Sequence, residues 1–380
     1  MAGYLKSLMH DLEAPLEARR FGTGWFAGFF ALLLAVAGFG MVLSLRYPGW
    51  LSTPELMAAK EWSGFRPLVH AIILGAYALA LLSLLLRPRK ALGFTALGIA
   101  LAAGLLGGSG AEAREVESWG IFFGMDFFVL NLVLTGLMFA PLERLAPRDR
   151  GQRLFRPEWR EDLFYFLISS MMVQALTFLA FAPSKLVLAH SGGWGDVRAL
   201  IGGQPLVVQI IEIMLLTDLV QYWFHRAFHR VPFLWNFHAI HHSAKKMDWL
   251  AGARMHFFEI AALRGVTAIP MMTLGFSPVA LQIYIGLVYV YSSLIHANLR
   301  GDFDRLGHFM VTPRFHHWHH GLEKEAVDVN FAIHFPFWDK LFGTFFYPAG
   351  RWPNGYGVPE EIPHGYAAQF MHPLGGKRVS

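Results

Sequence analysis

The chain has 380 residues, of which 54% are apolar and only 16% are charged, and its mean hydropathy is +0.39. This composition excludes an average soluble domain and indicates a membrane protein. The chain has no cysteine, which excludes disulfides and thiolate metal sites, and its net charge is +5. In a membrane protein, such an excess is typical of basic loops rather than of nucleic-acid binding.

Six apolar segments precede the first histidine pair, and each has about the 20 residues that are needed to cross the hydrocarbon core: 21–45, 67–86, 91–109, 121–142, 163–183 and 206–224. A longer apolar stretch at 257–295 is interrupted by Pro270 and by GFSP at 275–278, which predicts a helical hairpin. The first 20 residues are polar and lead into a full-length span, so no removable signal peptide is predicted.

Basic residues are distributed unevenly between alternate loops. Twelve Lys and Arg residues lie in the loops at 1–20, 87–90 and 143–160, and six lie in the opposite loops at 46–66, 108–120 and 184–205. This bias predicts a cytoplasmic N-terminus. The sixth span and the hairpin then bring every histidine cluster to the cytoplasmic side. The membrane would be the plasma membrane in a bacterium and the ER membrane in a eukaryote.

The predicted fold is all-α, a polytopic membrane helical bundle with a cytoplasmic histidine-rich metal site. We expect three parts. Residues 1–160 form an N-terminal transmembrane bundle of about four spans, in which no functional motif is recognisable. Residues 161–348 carry the histidine clusters, and residues 349–380 form a tail rich in Pro and Gly.

Thirteen of the 18 histidines lie between His225 and His334, and they form a repeated pattern. The pair His225 and His229 is followed by two copies of His-x-x-His-His, which are His238, His241, His242 and His316, His319, His320. Residues at i, i+3 and i+4 share one face of a helix, so we expect the imidazoles of each triplet to converge on a common metal. His317 points elsewhere. Taken alone, the pair His225 and His229 is explained equally well as a polar stripe at the membrane interface.

Eight histidines exceed the three or four that one zinc ion takes from a protein, which indicates two metals. All-nitrogen ligation suits Fe, Cu, Zn or Ni, and the absence of His-Glu-x-x-His disfavours a zinc peptidase. His256 and His296 flank the predicted hairpin and either complete the two coordination spheres or are interfacial. Upstream, Asp218 and Tyr222 share a helix face with the first pair, where the acid either orders a histidine or forms a helix-packing hydrogen bond.

Six motifs occur in a familiar order: DLVQYWFHRAFHR, FHAIHHS, MDWLAGARMHFFE, HANLR, VTPRFHHWHH and DVNFAIHFPFWDKLFGT. Over about residues 212–347 they resemble the fatty acid hydroxylase/sterol desaturase superfamily of integral-membrane di-iron oxygenases. This resemblance implies a catalytic domain at 161–348 with two iron ions. Such a centre activates O2 and hydroxylates or desaturates an unactivated C–H bond of a lipid.

The resemblance also implies the metal ligands, by matching position: His225, His229, His238, His241, His242, His296, His316, His319 and His320. His256 matches the Arg-x-His motif of the sterol desaturase branch and is a tenth candidate. Arg300 occupies a position where some branches have a further histidine. Asn298, Asp328 and Asn330 lie in the family motifs, and with Asp218 and Tyr222 they are candidates for supporting the ligands. No catalytic residue beyond the ligands is predicted.

The implied substrate is a sterol-like, fatty-acyl, carotenoid or alkylglycerol lipid that enters from the bilayer. Electrons would come from a separate ferredoxin, cytochrome b5-like protein or flavoprotein reductase, because the sequence HPLGG at 372–376 does not fit a fused haem domain. Four basic residues either dock this donor or are ordinary charges at the membrane edge: Arg226, Arg230, Lys245 and Lys246. Aromatic residues near the clusters line a lipid slot or form an interfacial belt: Trp223, Trp235, Phe237, Trp249, Phe257, Phe258 and Trp318.

Two other functional classes remain as alternatives. A membrane transporter or store for metals would use the histidines as pathway ligands, but the spans contain few histidines or acids. A di-zinc hydrolase would need a general base near the metals, and the triplets contain no carboxylate.

Overall fold

A computed structural model describes residues 2–52, 57, 60–114, 124–190, 194–301 and 303–375 of the chain. These described residues are helical and form no β-sheet, apart from an isolated bridge between Gly321 and Tyr356. The all-α prediction is therefore confirmed. The chain divides into two compact units, one of Met1–Arg156 with Ser170–Gln174, the other of Pro157–Ser169 with Ala175–Ser380.

The first unit has a core of small residues. Its helices are α1 (Ala2–Leu12), α2 (Trp25–Arg46), α3 (Pro48–Leu51), α4 (Phe65–Leu86), α5 (Ala91–Leu105), α6 (Met125–Asn131) and α7 (Leu137–Leu145), and a π-helical turn at Leu132–Gly136 joins the last two. Buried alanines of α2, α4 and α5 pack together, and small side chains allow membrane helices to approach closely. A buried ion pair between Asp11 and Arg87 lies in the same unit.

The second unit contains the histidine clusters. Its helices are α8 (Trp159–Met171), α9 (Val173–His190), α10 (Gly195–Gly202), α11 (Leu206–Arg230), α12 (Pro232–His242), α13 (Phe257–Thr273), α14 (Pro278–His296), α15 (Pro313–His319), α16 (Phe337–Phe342) and α17 (Tyr366–Met371). The helices α13 and α14 form the predicted hairpin and both pack against α11. Gly275 has a φ of +85° at the turn, where a Cβ would meet Arg198.

Among the described residues, six helical segments are long and apolar enough to cross a membrane: Trp25–Arg46, Phe65–Leu86, Ala91–Gly110, Met125–Leu145, Leu206–Arg230 and Pro278–His296. The protein is an integral membrane protein, as predicted. The segment predicted to span at 163–183 is instead divided between α8 and α9 at Met172. Residues 121–123 of the fourth predicted span and 376–380 of the tail lie outside the described residues.

The helix geometry relates the histidines to the bilayer. At about 1.5 Å of rise per residue, His225 lies roughly 29 Å along α11 from Leu206, and His296 lies roughly 27 Å along α14 from Pro278. The hydrocarbon core is about 30 Å thick. Both histidines therefore lie near the end of their apolar spans, at the level where the hydrocarbon gives way to the headgroups.

Candidate metal centre

Among the described residues, nine histidines gather in two groups. The five-histidine group contains His225, His229, His238, His242 and His319, and the four-histidine group contains His241, His296, His316 and His320. Within each group, the candidate ligand nitrogens all lie within 4.8 Å of one another. Eight of the nine residues are buried, and the side chain of the ninth, His229, is only 7% exposed. The histidines are supplied by α11, α12, α14 and the end of α15.

Each His-x-x-His-His triplet contributes to both groups rather than to one. His238 and His242 join the five-histidine group, whereas His241 between them joins the four-histidine group. The second triplet divides in the same way: His319 joins the five-histidine group, whereas His316 and His320 join the four-histidine group. Successive residues are about 100° apart around a helix, so i and i+4 diverge by only about 40° while i+3 and i+4 diverge by about 100°. Each triplet therefore lies between two sites and contributes imidazoles to both.

The nitrogens that face one another have the spacing of metal ligands. In the five-histidine group, Nε2 of His238 lies 2.9 Å from Nε2 of His225 and 3.2 Å from Nε2 of His242. In the other group, consecutive Nε2–Nε2 distances are 3.3, 3.0 and 3.1 Å along His241, His296, His316 and His320. Two nitrogens bound to one metal at about 2.0–2.1 Å, with about 90–109° between the bonds, lie about 2.9–3.4 Å apart. Both groups fit a metal ion.

Four of the outward-facing nitrogens are held by main-chain carbonyls. Nδ1 of His225 donates to the Phe331 oxygen at 2.9 Å, and Nδ1 of His319 donates to the Val329 oxygen at 2.8 Å. In the other group, His241 and His296 donate to the carbonyls of Arg254 and Ser292, respectively, at 2.9 and 2.7 Å. A proton on Nδ1 leaves the Nε2 lone pair free for a metal.

Some inward-facing nitrogens have no hydrogen-bond partner in the described part of the chain. The buried Nε2 atoms of His229 and His319 are in this position. A buried polar atom without a partner is costly and requires an explanation. A metal ion between the imidazoles would satisfy both atoms, so the donor set fits a metal by chemistry as well as by distance.

Comparison with known proteins agrees with this geometry. Residues 210–344 match the family model described as fatty acid hydroxylase. This match confirms the predicted resemblance to the fatty acid hydroxylase/sterol desaturase superfamily over about a third of the chain. All nine grouped histidines lie inside the matched segment.

Three relatives are informative. The chain is 27% identical over 260 residues to an ornithine lipid hydroxylase of Rhizobium tropici, covering 66% of this chain and 76% of that protein. It is 32% identical over 135 residues to an alkylglycerol monooxygenase of Danio rerio, and 25% identical over 198 residues to a lathosterol oxidase of Rattus norvegicus. These two alignments cover 34% and 48% of this chain, but only 28% and 63% of the relatives. No solved structure matches the chain. The relatives' names are those of oxidoreductases.

Two carboxyl groups lie behind the five-histidine group. Oε1 of Glu259 is 2.5 Å from Nδ1 of His238, and Oδ1 of Asp328 is 3.7 Å from Nδ1 of His229. A carboxylate behind a ligating imidazole orients the ring and raises its basicity. Asp328 was a predicted supporting residue, whereas the role of Glu259 was missed, although Glu259 lies in the MDWLAGARMHFFE motif.

Asp218 holds a backbone segment rather than any of the nine grouped histidine side chains. Its carboxylate accepts hydrogen bonds from the main-chain nitrogens of Ile333, His334 and Phe335 at 2.7, 3.1 and 2.7 Å. The same segment carries the carbonyl of Phe331 that binds His225. Asp218 therefore supports the metal centre through the backbone.

The other predicted supporting residues bind the same segment or lie near it. Asn330 donates to the carbonyls of Phe315 and Phe346 at 3.1 and 2.8 Å, and has a φ of +59°. The hydroxyls of Tyr222 and Thr344 are 2.9 Å apart. The Thr344 hydroxyl in turn donates to the buried carboxylate of Asp339, which accepts from the main-chain nitrogens of Phe331 and Ala332. Asn298 is buried two residues after His296.

A buried charge cluster supports His241 from outside the matched segment. The Arg254 guanidinium binds Asp162 through Nε and binds Glu158 through Nη1, the latter at 3.0 Å. Nη1 also donates to the Ser243 hydroxyl at 3.1 Å. Because the Arg254 carbonyl accepts the Nδ1 proton of His241, these carboxylates fix the position of a metal ligand indirectly.

The structure does not bring His256 to either group. Its Nε2 donates to the carbonyl of Phe370 at 3.0 Å, and its Nδ1 accepts from the main-chain nitrogen of Phe258 at 3.2 Å, where it caps α13. Both nitrogens are thus engaged away from the metal centre. His317 also lies apart, bound to the hydroxyl of Tyr356 and the carbonyl of His296.

Burial keeps the ligands outside the membrane spans neutral. Desolvation, followed by the charges of neighbouring imidazoles, lowers the pKa well below 6.5 in His238, His241, His242, His316, His319 and His320. A neutral imidazole is the form that binds a metal. The site is therefore ready to take up a cation at neutral pH without first releasing protons.

Proposed function

We propose that this protein is an O2-dependent membrane di-iron oxygenase that hydroxylates or desaturates an unactivated C–H bond of a lipid. The observation that carries the proposal is the pair of adjacent all-histidine groups with facing Nε2 atoms at metal-ligand spacing. The membrane spans and the oxidoreductase relatives support the same class. We further propose residues 161–348 as the catalytic domain.

Nine histidines would hold two iron ions: five on one iron and four on the other. Iron bound there would supply the oxidising power that an unactivated C–H bond requires. The protein binds and orients the ions with neutral imidazoles, and Glu259 and Asp328 orient two imidazole rings of the five-histidine group from behind. Because the ligands are buried, water is excluded from the reacting centre.

A lipid substrate is supported by the depth of the site. His225 and His296 lie near the ends of their spans, where a lipid in the bilayer can present the part of its chain closest to the headgroup. The relatives' names concern an ornithine lipid, an alkylglycerol and a sterol. The broadest alignment is with the ornithine lipid hydroxylase. We therefore propose a lipid with a polar headgroup, and hydroxylation as the reaction to test first.

Electrons for the reaction would come from an external ferredoxin, cytochrome b5-like protein or flavoprotein reductase on the cytoplasmic side. Exposed basic residues next to the five-histidine group support a docking surface there. Arg230 is exposed and its Nε lies 3.2 Å from the Asp328 carboxylate that backs His229. Lys245 is also exposed, three residues after His242.

The decisive experiment combines metal analysis with turnover in one preparation. The full chain is purified in detergent from iron-supplemented cells, its metals are counted by mass spectrometry, and iron is examined by Mössbauer spectroscopy. Conversion of a polar-lipid extract is then followed with an electron donor under labelled oxygen. We expect two irons per chain and labelled oxygen in a lipid alcohol.

The matched variants are His241→Ala and His319→Ala, one from each group, with the exposed His364→Ala as the control. Each ligand variant should lose activity and bound iron while still inserting into membranes, and the control should keep both. Zinc as the resident metal would overturn the proposal in favour of the hydrolase or storage alternatives. Full metallation and activity of the ligand variants would refute the ligand assignment.

A further inference from the structure

Four large apolar side chains are exposed together at one edge of the second unit. Phe337 and Leu341 on α16 are 55% and 58% exposed. Leu306 and Phe309, in the loop at 305–309 before α15, are 49% and 75% exposed. The two segments are joined by a hydrogen bond of 2.7 Å from Nζ of Lys340 to the carbonyl of His308. The four side chains therefore belong to one surface rather than to scattered positions.

Among the described residues of this surface, two basic side chains are exposed, Arg305 and Lys340. Of the described acids nearby, Asp304 pairs with Arg314, and Asp339 on α16 is buried and accepts main-chain hydrogen bonds. Large apolar side chains interspersed with Lys and Arg are typical of segments that lie in the membrane interface.

The surface is continuous with a membrane span. The ring of Phe342, at the end of α16, lies 4.9 Å from the rings of both Tyr222 and Trp223 on α11. At about 1.5 Å per residue, Trp223 is roughly 26 Å along the span from Leu206, just inside the thickness of a hydrocarbon core. The short helix α16 thus flanks α11 at the level where the bilayer boundary must pass.

We propose that α16 and the loop at 305–309 form a membrane-insertion patch, made of Leu306, Phe309, Phe337 and Leu341 with Arg305 and Lys340. The apolar side chains enter the boundary between headgroups and acyl chains. The two basic side chains face the phosphates of anionic lipids, which attract such residues electrostatically. The occupant of this surface is the bilayer rather than a protein.

The patch also fixes the depth of the metal centre. Phe342 packs on Tyr222, whose ring lies 5.9 Å from that of Phe331, and the Phe331 ring lies 5.5 Å from that of His225. This aromatic contact chain is buried except at Phe342, so the patch and the five-histidine group move together. The depth at which the patch inserts therefore determines which carbons of a bilayer lipid reach the histidines.

The absence of cysteine allows a direct test of depth. Phe309→Cys and Leu341→Cys are each labelled with bimane in the full chain and reconstituted into vesicles of phosphatidylcholine with phosphatidylglycerol. Val327→Cys is the matched control, because Val327 is 62% exposed and adjoins Asp328, which binds Arg230 at the far end of α11. Quenching is measured with lipids that carry a nitroxide near the headgroup and with a water-soluble quencher.

We expect lipid-borne quenching several-fold stronger at positions 309 and 341 than at 327, with the reverse order for the soluble quencher. Arg305→Glu should reduce the lipid quenching at position 309 in anionic vesicles more than in neutral ones. Equal lipid quenching at all three positions would overturn the proposal. Protection from both quenchers would also overturn it and would indicate a protein partner or a second copy. The readout requires neither metal nor activity, so its failure is distinct from failure of the proposed oxygenase.

Discussion

Replacing Asp162 with Asn removes the negative charge that binds Nε of the Arg254 guanidinium, and both side chains are buried. The Arg254 main-chain oxygen accepts the Nδ1 proton of His241 at 2.9 Å, so a shift of Arg254 displaces a ligand of the four-histidine group. Asp162 lies outside the segment that matches the family, and its carboxylate binds Arg254 directly. We therefore expect its effect on the metal to pass through Arg254.

The expected magnitude follows from the contacts. Removing one partner of a buried ion pair costs about 3–5 kcal/mol, but Glu158 stays 3.0 Å from Nη1 of Arg254 and the Asn amide retains an oxygen acceptor. We therefore expect a loss near the lower limit, about 3 kcal/mol of unfolding free energy. Loss of a partner behind a metal ligand weakens metal binding about 10–100-fold. Because the coupling runs through one carbonyl, we expect about tenfold, or ~1.4 kcal/mol.

The assay is a two-step metal titration of the metal-free full chain in detergent. His241→Ala and His319→Ala first identify which step belongs to which group. Asp162→Asn should weaken the step that His241→Ala abolishes and leave the other step unchanged. The control is Asp11→Asn, which breaks the buried pair with Arg87 in the first unit and should lower stability without altering either step. Equal weakening of both steps, or of neither, would refute the reasoning.

Three further predictions concern single interactions. Glu259→Ala should weaken the five-histidine titration step about tenfold, because it removes the oxygen that orients the His238 ring, and an unchanged step would exclude that role. Asp218→Asn should lower the unfolding free energy by about 1–3 kcal/mol, because one amide cannot satisfy three buried main-chain nitrogens as well as a carboxylate does; thermal unfolding measures it. The metal-free protein should lose stability as the pH falls below about 6.5. Burial lowers the pKa of the imidazoles of α12 and α15 in the folded protein, so they stay neutral there but bind protons in the unfolded chain. Unfolding at pH 7.5 and 5.5 tests this, and equal midpoints would contradict it.

The membrane spans and the hairpin could be predicted from the sequence because they depend on local properties. Length and apolarity determine whether a helix can span a bilayer, and GFSP specifies a turn whose Gly275 adopts a φ of +85°. The break at Met172 between α8 and α9 was not predicted. The surrounding sequence is apolar except for Ser169, Ser170 and Gln174, and no Pro or Gly marks the break.

The clustered histidines could be predicted from the sequence as candidate ligands, but their division between two groups could not. Periodicity puts His238, His241 and His242 on one face of a helix, and only the packing of α11, α14 and α15 around that face decides which neighbour each imidazole meets. The same limit applies to the supporting residues. Asp218 binds nitrogens 115 to 117 residues away, and Arg254 binds a carboxylate 92 residues away. Such contacts have no local signature.

The two histidine groups differ in what holds them. His225 and His319 of the five-histidine group come from different helices, yet they donate to the carbonyls of Phe331 and Val329, two residues apart on one segment. Asp218, on α11 itself, holds the continuation of that segment through three main-chain nitrogens. A movement of the segment would therefore displace two histidines of one group together. The four-histidine group instead uses the Arg254 carbonyl and the α14 backbone, so the two candidate sites can be perturbed separately through supporting residues that belong to neither group.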